Sequence, residues 1–169
     1  MAISTQLLKK VLQVPIFAGL SPTEGGEFLE VALELVEPKG TVLFQEGEPG
    51  DALVLILEGE VAISRKGVQL ARLSGGSVVG EMSLLDEASP RSATATAISE
   101  TRFLKVPSRW VQKLLRADNV AALKVVANLA KVMSKRLLAI NEKLVVALEH
   151  RDQKTELADF SQILTRWEF

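Results

Sequence analysis

Eight of the eleven glycines fall between positions 40 and 80. Glycine reaches positive φ at little steric cost, so this crowding marks a chain that reverses direction every few residues. Between the glycines lie short runs rich in valine, isoleucine and leucine, at 41–44, 52–57, 60–64, 68–73 and 77–79. Two more runs, 94–98 and 102–106, complete the series. About eight short strands with such closely spaced turns predict a compact antiparallel sandwich or barrel over about 35–106.

Both flanks of this segment are helical in pattern. Ile3, Leu7, Leu8, Val11 and Leu12 recur at helical spacing until Pro15 redirects the chain. Ser21-Pro22-Thr23-Glu24 is a helix start, with a capping serine, a proline at the first helical position and a glutamate placed for a capping box. The following helix is expected to run through Phe28, Leu29, Ala32 and Leu33. After Pro107 a short helix is expected from Ser108 to Arg116, and Asn119 caps a long one toward Glu149. On that helix Met133, Leu137, Ile140, Leu144 and Ala147 repeat at 4-3-4-3 spacing. Such a seam suits a two-helix dimer, and packing on the barrel would use it equally well. In the tail, 150–169, Leu157, Phe160, Leu164 and Trp167 form one apolar stripe, read as a helix for packing or partner docking. The expected domain is therefore 1–149, with the tail outside it.

Composition removes several function classes. There is no cysteine, so disulfides, thiolate zinc sites and cysteine nucleophiles are absent. The one histidine, His150, lies far from the glycine-rich segment, which leaves no material there for a histidine metal site. A metalloenzyme on a related barrel is thus not expected, and neither a metal nor a catalytic residue is assigned. Net charge is −1, without a basic cluster, so nucleic acid is not an expected partner. No apolar run has the length of a membrane span. The first residues lack a signal-peptide pattern, and a cytoplasmic location is expected.

The stretch from Gly80 to Thr94 carries the chemistry. A strand ends at Gly80, and a very short helix over about Met82–Leu85 follows. Its free N–H groups favour an anion. The chain then returns to Arg91, expected to head the next strand, whose guanidinium can grip the same anion bidentately. Glu81 offers an acceptor for a sugar hydroxyl, and Ser92 adds a hydroxyl and an N–H. Together these residues suit a phosphate joined to a ribose.

This stretch resembles the phosphate-binding cassette of the cyclic-nucleotide-binding domain family. The matching residues are Gly80, Glu81, Ser83, Leu84, Leu85, Arg91, Ser92 and Ala93. Pro15 to Ser21 resembles the family's helical entry. Gly40, Gly47, Gly50-Asp51 and Glu58-Gly59-Glu60-Val61 resemble its turns, and the likeness covers about 8–147. It implies an α+β fold: an eight-stranded β jelly-roll barrel with N-terminal helices and a long C-terminal helix. It further implies that Arg91 pairs with the cyclic phosphate and Glu81 with the ribose 2′-hydroxyl. Ser83 and Ala93 would offer backbone N–H groups, and Ser92 would reach the phosphate or the base. Gly80 and Met82 complete the expected ligand contacts. In the branch of the family that includes the catabolite activator protein, the long helix covers the base, which places Arg136 and Asn141 at base-facing positions. Where that branch usually has threonine, this chain has Ile140. Asp51 is read as a turn residue, and Trp110 as a packing residue.

The expected function is a sensor of cyclic AMP, with cyclic GMP as the alternative ligand, and without a cofactor. It would signal by swinging its C-terminal helices about a hinge near Pro107. Expected partners are the nucleotide, a second copy through the long helix, and an unidentified protein effector. About twenty residues follow Glu149, too few for a winged helix-turn-helix, so DNA binding is not expected. The competing reading is a ligand-independent dimerisation or protein-interaction module.

Overall fold

The computed structural model describes residues 3–85 and 89–149. The chain divides into two compact units, Met1–Leu129 and Ala130–Phe169. The first holds helices α1 (Thr5–Val11), α2 (Pro22–Phe28), α3 (Met82–Leu85) and α4 (Ser108–Arg116), together with the start of α5 (Val120–Glu149). Its strands are β1 (Leu33–Glu37), β2 (Val42–Phe44), β3 (Ala52–Glu58), β4 (Glu60–Arg65), β5 (Val68–Ser74), β6 (Val78–Val79), β7 (Thr94–Ala97) and β8 (Thr101–Pro107). In the second unit, the described residues continue α5 as far as Glu149.

The eight strands form two antiparallel sheets, ordered β1-β8-β3-β6 and β2-β7-β4-β5. Among the described residues no ladder joins the two sheets, so the eight strands of the expected jelly-roll barrel take the form of two sheets. Its core lies between the sheets. Val54, Val79 and Phe103 of one sheet pack with Leu43, Phe44, Ile63 and Leu73 of the other. β3, paired on both sides, is buried over its first five residues, and its apolar run is continuous for that reason. β8, also paired on both sides, buries Thr101, Phe103, Leu104 and Val106 and leaves Arg102 and Lys105 partly exposed.

The turns explain the crowding of glycine. Gly59, between β3 and β4, has φ of +89°, and a Cβ there would lie 2.8 Å from the Thr101 Cα. Both the conformation and the space exclude a side chain.

Pro15–Phe17 forms a 3-10 turn after α1. Ser21 accepts from the Glu24 N–H at 3.2 Å, and Glu24 accepts from the Ser21 N–H at 2.7 Å, completing the capping box. The helix it starts is shorter than expected: it ends at Phe28, and Leu33 opens β1. Leu29 and Ala32 are buried, but in the turn that carries the chain into the sheet. Their apolar spacing reflected burial and not continued helix. Phe28 meets Phe17 edge-on, with ring centroids 5.7 Å apart.

α4 spans the expected residues. Asn119 caps α5 by accepting from the Ala122 N–H at 3.1 Å. Ala121, Ala122, Val125 and Leu129 are buried, whereas farther along α5 Leu137 and Ile140 are 47% and 60% exposed. Lys124 of α5 binds Glu24 at 2.6 Å and donates to the Gly19 carbonyl at 3.1 Å. Asn128 donates to the Ala18 carbonyl at 2.8 Å. These contacts lock the start of α5 to the N-terminal helices. His150, Trp167 and the rest of 150–169 lie outside the described residues.

Candidate functional site: a buried arginine beside a short helix

β6 ends at Val79, and Gly80, with φ of +72°, turns the chain into α3. A Cβ on Gly80 would collide with the Arg91 guanidinium and lie 2.9 Å from the Ala52 carbonyl oxygen. Glycine is therefore required twice here, by the turn and by the arginine that crosses it.

Arg91 is 5% exposed. It does not head a strand as expected, because β7 begins only at Thr94. Its backbone is instead pinned to the loop after β2: the Arg91 N–H donates to Glu48 at 2.7 Å, and the Gly47 N–H to Arg91 at 2.9 Å. Its guanidinium lies 4.2 Å from the centroid of the Phe44 ring. Nη2 reaches Asp51 Oδ1 at 2.9 Å, and Nη1 the Gly80 carbonyl at 3.3 Å. Nε is buried and has no hydrogen-bond partner among the described residues. A desolvated guanidinium over an aromatic face gains about 2 kcal/mol, well short of the cost of burying its charge.

Asp51 makes up part of that difference. It is a turn residue only by position, since its carboxylate bridges Arg91 and Lys105, the latter at 2.7 Å. Partial burial works to raise the carboxyl's pKa, yet Lys105 and Arg91 together hold it below the ordinary range. The Asp51 side chain remains 60% exposed, so the counterion of a buried cation faces water. Phe44 and Asp51 are the two residues that sequence reasoning missed. Each lies about forty residues or more before Arg91, and only the sheet pairing brings them to it.

Ser83 is 2% exposed, and its hydroxyl turns inward to the Gly80 carbonyl at 2.8 Å and the Ser108 hydroxyl at 2.9 Å. Its N–H bonds the Gly80 carbonyl at 3.3 Å, closing the first turn of α3. Met82, Ser89, Pro90, Arg91 and Ser92 line an open cavity of about 370 Å³, with Glu46, Gly47 and Arg65 on its rim. Glu46 accepts from the Lys66 N–H at 2.9 Å and from Arg65 at 3.4 Å; these bonds, the first foremost, lower its pKa. Ser92 and Met82 are exposed, Ala93 is buried and Glu81 half-buried. Of the expected contacts, Met82, Arg91 and Ser92 line this cavity, and Gly80 joins Ser83 to Arg91 by accepting from both through its carbonyl. Arg136 and Asn141 lie on α5 in the second unit, the former half-buried and the latter exposed. Trp110 packs as expected, donating its indole N–H to the Phe28 carbonyl at 3.1 Å.

A double antiparallel sheet thus holds a buried arginine against a short helix. Residues 36–118 match the family model of the cyclic nucleotide-binding domain, and this segment belongs to that family. It is 36% identical over 132 residues to the cyclic AMP receptor protein of Thermus thermophilus, a match that covers 73% of this chain and 57% of the relative. It is 33% identical over 105 residues to a cAMP-dependent protein kinase regulatory subunit of Yarrowia lipolytica, covering 61% of this chain and 28% of the relative. The structure resembles a cyclic nucleotide-binding domain from Methylobacillus flagellatus with a TM-score of 0.74 and 25% identity over 84% of each chain. The chain therefore spans little more than half the length of the first relative and less of the second. Among the described residues, no helix is long and apolar enough to cross a membrane.

Proposed function

We propose that this chain is a sensor of a cyclic nucleoside monophosphate, with cyclic AMP as ligand and cyclic GMP as the alternative. The observation that carries this reading is the buried Arg91, balanced in the free protein by an exposed carboxylate and opening on a cavity. Such a cation gains most from an anion delivered into that cavity. The names of the Thermus and Yarrowia relatives support cyclic AMP.

In this mechanism the cyclic phosphate replaces Asp51 on Arg91, and Asp51 keeps Lys105. Glu81 accepts from the ribose 2′-hydroxyl. Ser83 and Ala93 supply N–H groups, and Ser92 reaches the phosphate or the base. Met82 and Gly80 close around the sugar-phosphate, while Arg136 and Asn141 of α5 face the base. The domain 1–149 acts without chemistry of its own, in the cytoplasm, and its C-terminal helices carry the signal to a protein effector, with neither DNA nor membrane as partner. Exposed Leu137 and Ile140 support a second copy as partner of α5.

Calorimetric titration with cyclic AMP, cyclic GMP and 5′-AMP tests this. One cyclic nucleotide should bind saturably. Arg91→Ala should lose ~3 kcal/mol or more, over 100-fold in Kd. Absence of heat with either cyclic nucleotide would return the chain to the dimerisation-module reading.

A further inference from the structure

We propose that Ser108 and Gln112 of α4 are the residues that transmit occupancy of the phosphate site to the C-terminal helices, through hydrogen bonds to the backbone of the arginine's counterion and to the short helix α3. The proposal rests on the sensor reading above.

Ser108 is the first residue of α4 and is 3% exposed. Its N–H donates to the Asp51 carbonyl at 2.9 Å, and its hydroxyl meets the Ser83 hydroxyl at 2.9 Å. Asp51 is the counterion of Arg91, and Ser83 belongs to the short helix that follows Gly80. Ser108 therefore senses both. Gln112, one turn later on the same helical face, donates from Nε2 to the Leu84 carbonyl at 2.6 Å. Three hydrogen bonds thus join α4 to the rim of the site.

The proton order in the serine pair follows from supply. A hydroxyl has one proton to give. Ser83 faces the Gly80 carbonyl at 2.8 Å and the Ala52 carbonyl at 3.3 Å, neither of which can donate. Ser83 donates to Gly80, so Ser108 donates to Ser83. A move of α3 toward a bound phosphate, or of Asp51 away from it, pulls on Ser108 through directional bonds, which tolerate sliding far less than apolar contact does. α4 carries this displacement to α2 through Trp110 and to α5 through the turn at 117–119.

Removing the Ser108 hydroxyl leaves the Ser83 proton satisfied by Gly80, so the substitution cuts transmission without orphaning a donor. Trp110 is the natural probe, because with Trp167→Phe it becomes the sole tryptophan. In that background, cyclic AMP and cyclic GMP are titrated against the full chain, with binding read by calorimetry and α4 by Trp110 emission. The parent should show saturable binding and a matching emission change. S108A and S108A/Q112M should bind no more weakly than the parent, since they no longer couple binding to moving α4. Their emission change should fall at least twofold in the single variant and further in the double, where only the Ser108 N–H bond to the Asp51 carbonyl remains. S108T, which keeps the hydroxyl, should restore it. Full emission change in S108A/Q112M, or binding weakened in parallel with the signal, overturns the relay while leaving the sensor reading intact. Absence of binding by the parent overturns both.

Discussion

Replacing Asp51 by asparagine should weaken the free protein and tighten nucleotide binding. Arg91 is 3% exposed on its side chain and Asp51 60%. Breaking a fully buried pair costs about 3–5 kcal/mol, whereas an exposed pair contributes under about 1 kcal/mol. A pair with one buried and one exposed member lies between, and asparagine still accepts a neutral hydrogen bond. The loss in the free protein is therefore about 1–2 kcal/mol, or roughly 2–8 °C in Tm for a chain of this size. Lys105 also loses its partner, but it is exposed enough to be solvated. In the bound protein the phosphate pairs with Arg91, and this loss is not incurred. The difference appears as affinity, about tenfold in Kd for 1.4 kcal/mol. Calorimetry with cyclic AMP on parent and D51N, with thermal melts with and without ligand, measures both sides. A D51N protein that melts lower and binds equally or more weakly would refute the exchange of Asp51 for phosphate.

Gly80→Ala should cost about 1–2 kcal/mol from the left-handed φ alone, and should cut affinity further by displacing the Arg91 guanidinium; melts and titration separate the two effects. Glu24 is held at about 2, from 4.5, first by its bond to Lys124 and then by the Ser21 N–H. A depressed carboxylate stabilises the fold above its unfolded value and loses that contribution as pH falls from about 4.5 toward 2. Melts across that window should show an acid limb that Lys124→Met makes shallower. Leu137→Asp with Ile140→Asp should leave the melt of the fold near that of the parent and convert a sedimenting dimer to monomer; a parent that sediments as a monomer would remove the α5 dimer.

Much of this protein is local in origin and was legible for that reason. The capping box of α2, the bounds of α4, the Asn119 cap and the short α3 all depend on neighbours within a turn of helix. The alternation of apolar runs and glycines similarly marked most strands within one or two residues. The order Gly80-Glu81, Ser83, Arg91-Ser92-Ala93 pointed to an anion site because one return of the chain suffices to bring it together. Where local pattern and tertiary position diverged, the reading failed. Leu33 continued a helical stripe by spacing, but it pairs with Lys105 across the sheet as the first residue of β1.

Which cation the site presents, and that it lies at a turn kept free of side chains, was therefore written in the sequence. What holds that cation was decided by tertiary structure alone. Asp51 and Phe44 reach Arg91, and Ser108 reaches Ser83, only after the strands have chosen partners in two sheets. Burial then makes those contacts matter, because a counterion or a hydroxyl acquires its weight only where water has been excluded.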